Sequence, residues 1–116
     1  MMMGFPKRAT IRGLRKVKRR LKLSSVPDPE SNLAELAEFA LTFDGYAFHG
    51  SFEKCAEIAN ARRHDTLDDL RTCLFFEQRA WHHSGEKPSE EAMEYIRELV
   101  RAIRAKVRVD EETTNL

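Results

Sequence analysis

The first acidic residue of the chain is Asp28. Nine Lys and Arg side chains stand before it: Lys7, Arg8, Arg12, Arg15, Lys16, Lys18, Arg19, Arg20 and Lys22. The full sequence holds 20 basic and 19 acidic residues. All 19 acids and the other 11 basic residues therefore fall in residues 28–116, a formal −8 beside a formal +9 on residues 1–27. A run of cations that dense is excluded from a hydrophobic core, because each charge stripped of water costs several kcal/mol unless it is paired. The chain accordingly reads as a basic N-terminal arm, flexible or marginally helical, over 1–27. A helical domain follows over 28–108, and a frayed polar tail over 109–116.

At 116 residues one domain is expected. The charged share of 34% is high and the apolar share of 41% slightly low, which fits a small helical body with wide solvated faces. Hydrophobic spacing predicts four helices. The first starts with Asp28 as N-cap and Pro29 behind it, or a turn later at Ser31. It carries Leu33, Leu36, Ala37, Ala40 and Leu41 on one face and ends at Asp44-Gly45. The second spans roughly 52–63 with Phe52, Cys55, Ala56 and Ala59 on one side, after Gly50-Ser51. Thr66-Leu67-Asp68-Asp69 resembles a capping box and opens the third, whose wide stripe from Leu67 to Trp81 looks the most buried. Ser84-Gly85 ends it. Ser89 caps the fourth, where Ala92, Tyr95, Ile96, Leu99, Val100, Ile103 and Val107 keep the period. The fold class is all-α: a compact antiparallel bundle of about four helices. Ile11, Leu14, Val17 and Leu21 also stand at helical spacing, so the arm fits an extra helix, weakened by Gly13 and by repulsion between like charges. Ser24 to Pro29 is the hinge between arm and body, since each proline pushes its predecessor out of the helical region.

Chemistry is sparse. Dense Lys and Arg neutralise phosphates and release counterions, so Arg12, Arg15, Lys16, Lys18, Arg19, Arg20 and Lys22 are candidates for an anionic partner such as nucleic acid. An anionic membrane surface is a related option, but the arm carries no Trp. An organelle transit peptide shares the Arg-rich, acid-free composition and is usually richer in Ser. A less biological alternative is that the arm is an extension from an upstream start choice, given Met1-Met2-Met3. The short turn Arg63-His64-Asp65 invites comparison with a helix-turn-helix, but the later helix would present Asp68 and Asp69 to phosphates. An ordinary helical hairpin is the better reading.

The stretch Phe43–Ser51 packs three aromatics, two glycines, an Asp and a His into one loop. Asp44 and His49 fit an orienter–base pair, and Tyr46 a pocket wall. The competing explanation is aromatics that pin a helix connection into the core. His82-His83 with Cys73 lacks the paired spacing of a zinc site. Cys55 is flanked by acids at Glu53 and Glu57, which oppose a thiolate. Phosphate-binding glycine loops and serine nucleophile elbows are missing. No catalytic residue, cofactor or metal is assigned. The sequence is thus read as a small, cytoplasmic, non-enzymatic interaction module. Its body takes a protein partner or a second copy of itself, and its arm holds an anionic surface, nucleic acid among the options. The alternative is a small-ligand-binding protein or enzyme with a site at Asp44, Tyr46 and His49.

Overall fold

Backbone capping divides this chain as sharply as hydrophobic spacing does. The structure, a computed structural model, describes residues 20–114, less the side chains of Tyr46 and Thr114. A 3-10 turn, Leu23–Ser25, precedes five helices: α1 Leu33–Ala40, α2 Gly45–His49, α3 Phe52–Asn60, α4 Leu67–Ser84 and α5 Glu90–Thr114. Among the described residues there is no strand, and the all-α expectation holds. The residues of the arm from 1 to 19, Arg12, Arg15, Lys16, Lys18 and Arg19 among them, lie outside the described residues.

Each long helix starts where a short polar side chain replaces a missing backbone partner. Ser51 Oγ accepts from Lys54 N at 3.1 Å, Thr66 Oγ1 from Asp69 N at 3.0 Å, and Ser89 Oγ from Ala92 N at 3.1 Å. The cap of α1 is Asn32, whose Oδ1 accepts from Glu35 N at 2.9 Å. Asp28, read from sequence as that cap, instead closes a tight turn, with its Oδ1 accepting from Glu30 N at 2.8 Å. Gly85 ends α4 in the left-handed region, φ 73°, with its N–H shared between Trp81 O and His82 O. Gly45 does not cap a helix as expected. It opens α2, and the left-handed glycine of that segment is Gly50, φ 85°.

The core is one cluster. Leu36, Phe39, Ala40 and Phe43 come from α1 and its exit, Ile58 from α3, and Leu70, Cys73 and Leu74 from α4. The largest share is from α5: Tyr95, Ile96, Leu99, Val100, Ile103 and Val107 are all buried. Helix α5 thus supplies the most core side chains, while α4, expected to be the most buried, has the smaller exposed share, 5 of 18 residues against 11 of the 24 described in α5. Two residues expected on inner faces point outward, Leu41 at 57% exposure and Phe52 at 53%. At its far end α5 runs through the supposed frayed tail as far as Thr114.

Residues 21–31 are stitched to α5. Leu21 and Leu23 pack against the core and Val26 is buried within it. Arg97 Nη1 donates to Pro29 O at 2.6 Å and Ser31 O at 3.1 Å, and Arg104 Nη1 donates to Val26 O at 2.9 Å. Glu111 Oε2 accepts from Leu23 N at 2.8 Å. A proline-rich segment cannot satisfy its carbonyls in a helix, so these guanidinium donors take the place of backbone partners.

Ile103→Ala should destabilise the protein by about 2–5 kcal/mol in urea unfolding followed by circular dichroism, because the side chain is fully enclosed. Arg104→Ala should cost about 1.5–3 kcal/mol, the range for hydrogen bonds to a charged group. It should also speed amide exchange at Leu23 and Val26 while leaving the amides of α4 protected.

Candidate functional site

The segment Phe43–Ser51 is spent largely on packing. Phe43 is buried edge-on against Phe39, with ring centroids 4.8 Å apart. The guanidinium of Arg71, on α4, lies 4.5 Å from the Phe43 ring centroid and 4.2 Å from that of Phe48. Burial draws the Arg71 pKa down, and Asp68 at 3.5 Å pulls it back up. His49 Nε2 stands 3.6 Å from Asp69 Oδ1, and both side chains are largely buried. The carboxylate facing His49 across this helix junction is thus Asp69, which the sequence offered only as a helix-start acid. Asp44 is exposed, and its carbonyl accepts from Ala47 N at 2.9 Å. The Cys55 thiol is pushed up chiefly by burial and further by the Asp44 carboxylate. The side chain of Tyr46 lies outside the described residues, so the expected pocket is represented by Asp44 and His49 alone.

A second constellation escaped sequence reading altogether. Helix α3 ends in a Schellman motif, with Arg63 N donating to Ile58 O at 3.1 Å and Arg62 N to Ala59 O at 3.2 Å. The left-handed position is held by Arg62, φ 52°, where glycine is usual. Its guanidinium sits 4.1 Å from the ring centroid of Tyr95. The hydroxyl of Tyr95 is 2.9 Å from His64 Nε2. Beneath them the Cys73 thiol points at Arg63 O, 3.5 Å away. Arg62 and Tyr95 line an open groove of about 400 Å³ together with Glu77 from α4 and Glu91, Glu94 and Glu98 from α5.

Electrostatics decide what this groove offers. Burial pushes the Tyr95 phenol well above its ordinary value, and the neighbouring Cys73 adds to the effect. Burial also raises the Cys73 thiol, only partly offset by its hydrogen bond with Tyr95. Glu77 is raised by burial and lowered again by Arg62. Thiol and phenol are therefore held as neutral acids. A thiolate nucleophile needs the opposite environment. The groove presents charge and hydrogen bonds, not an activated attacking atom.

The remaining sequence candidates are scattered. His82 and His83 are exposed at the end of α4, and His83 Nε2 accepts from Arg79 Nη2 at 3.2 Å. Among the described residues no three His, Cys, Asp or Glu side chains are grouped to hold a metal ion. No described helix is long and apolar enough to cross a membrane. Of the basic arm candidates, Arg20 and Lys22 are described, and both are exposed. No protein-family model matches this sequence, and no curated protein or solved structure matches it either.

Tyr95 and Cys73 set an alkaline limit on the fold. Both hold their protons more tightly folded than unfolded, so their contribution is complete below the ordinary thiol and phenol values of 9.0 and 10.0. Above those values the unfolded chain loses protons first and stability falls as pH rises. Tyr95→Phe should flatten the part of that decline above about pH 10, read as the urea midpoint against pH. An unchanged decline in the variant would exclude Tyr95 as its source.

Proposed function

We propose that the protein is a small, non-enzymatic, cytoplasmic interaction module. Its helices pack as an antiparallel bundle that takes a protein partner or a second copy of itself. Its basic arm, through Arg12, Arg15, Lys16, Lys18, Arg19, Arg20 and Lys22, holds an anionic partner.

The observation that carries this reading is the charge division at Asp28, seen together with the clamp on the segment beside it. Nine basic residues precede that point, and all 19 acidic residues lie from it onward. The chain between the two parts is tied by Arg97, Arg104 and Glu111 to one side of α5. That attachment gives the arm a fixed point of departure, which lowers the conformational cost of holding a partner against arm and body together. Leu41, Phe52 and Val109, the exposed large apolar residues of the described surface, are contact points for a protein partner. Burial raises both the Cys73 thiol and the Tyr95 phenol, which disfavours either as a nucleophile. The small-molecule alternative at Asp44, Tyr46 and His49 loses support because Phe43 and Phe48 are already occupied by Arg71.

The test is heparin chromatography of the native chain against a full-length variant with Arg12, Arg15, Lys16, Lys18 and Arg19 replaced by Gln. The variant should elute at clearly lower salt, because each neutralised cation removes one released counterion. Elution of both at the same salt would remove the arm from the account.

A further inference from the structure

The basic surface does not stop at the arm. Arg97, Arg101, Arg104 and Arg108 recur on α5 at intervals of four, three and four. At about 100° per residue they fall within a sector of about 60°, along about 17 Å of helix axis. Arg101 is 53% exposed and Arg108 is exposed, while Arg97 and Arg104 are half-buried. The half-buried pair is oriented by the carbonyls of Pro29, Ser31 and Val26, so the row is held in place from beneath. Glu111, one turn beyond Arg108, binds the Leu23 amide and so brings the exposed Lys22 to the end of the same row.

We propose that this arginine row is part of the anion-binding surface and that its ligand is the phosphate backbone of a nucleic acid. The proposal rests on the reading of the arm given above and extends it to the body. The exposed pair, Arg101 and Arg108, fits phosphate better than lysines would, because the planar guanidinium fork grips a tetrahedral oxyanion at two points, while Arg97 and Arg104, tied to carbonyls, add charge from beneath. Glu30 stands 3.4 Å from Arg101 but is 72% exposed, and so exposed an ion pair yields readily to a phosphate. A membrane surface suits the row less well. An interfacial helix must sink an apolar face among lipid chains, and the apolar face of α5, from Ile96 to Val107, is already sealed in the core.

The experiment follows the binding of the full-length protein to a short fluorescein-labelled DNA duplex by anisotropy over a range of salt. Arg101→Gln with Arg108→Gln should lower the slope of log K against log salt by about 1.8, and Arg108→Gln alone by about 0.9. Arg101→Lys with Arg108→Lys should keep the slope. Helical circular dichroism checks that each variant is folded, and the single variant suffices if the double variant is not. A slope that the Gln variants leave unchanged, while arm substitutions lower it, overturns the row and leaves the arm reading intact. Retention of the native protein on heparin without binding to the duplex overturns the nucleic-acid assignment alone. Failure to bind either removes both readings. Weaker binding of the Gln variants to phosphatidylserine vesicles, with the duplex slope unchanged, also overturns the assignment, in favour of a membrane surface.

Discussion

Burial of one face of α5 fixes the rest of the molecule. Tyr95, Ile96, Leu99, Val100, Ile103 and Val107 are almost wholly removed from water, and together they set the rotation of the helix about its axis. Once that face is inward, both flanks are determined. On one flank Arg97, Arg101 and Arg104 meet the carbonyls and carboxylate of residues 26–31. On the other, Glu91, Glu94 and Glu98 border the groove shared with Arg62 and Glu77. Neither flank is an independent design. Turning α5 by one residue would withdraw the guanidinium donors from the proline segment and leave its carbonyls without partners.

The local chemistry of this fold was largely readable and its assembly was not. Ser51, Thr66, Ser89 and Gly85 act as the caps their sequence contexts announce, because a cap depends on neighbours within four residues. Asp28 misled because the prolines on either side make its carboxylate more useful to a turn than to a helix. Helix α2 went unseen because five residues hold too little of a 3.6-residue period to register. Leu41 and Phe52 belong to apolar stripes, but a stripe does not say which of its edges a neighbouring helix will cover. The groove was out of reach because Arg62, His64, Glu77 and Tyr95 share no spacing. The arginine row on α5 was present as a pattern, but its partners are backbone carbonyls, which every sequence contains.

The strained residue and the groove belong together. A side chain in the left-handed region costs on the order of 1 kcal/mol, and glycine or asparagine usually fills that position. Arg62 occupies it at φ 52°. Its guanidinium lies over the Tyr95 ring, a contact worth roughly 0.5–2 kcal/mol that offsets the backbone cost. Tyr95 in turn holds His64, and Cys73 secures the Arg63 carbonyl. The turn between α3 and α4 is thus locked against α5 by side chains rather than chosen by its own sequence. Loss of the Tyr95 ring would be felt at the turn as much as in the core.

Charge on the body is divided as well, along the same helix. Four acids of α5, Glu90, Glu91, Glu94 and Glu98, lie in its first nine residues, the arginine row runs from Arg97 to Arg108, and Asp110, Glu111 and Glu112 follow it. From Glu91 to Arg108 the axis rises about 25 Å. The screening length is about 8 Å at physiological ionic strength. The far ends of the helix are therefore screened from each other, and the net −8 of residues 28–116 averages over stretches of opposite sign. A polyanion approaching the middle of α5 would meet guanidinium groups along the Arg97–Arg108 flank. The same polyanion near the groove meets four carboxylates around a single arginine. Were the proposed polyanion to bind, it would be steered to the flank of α5 that carries the arginines and away from the flank that borders the groove.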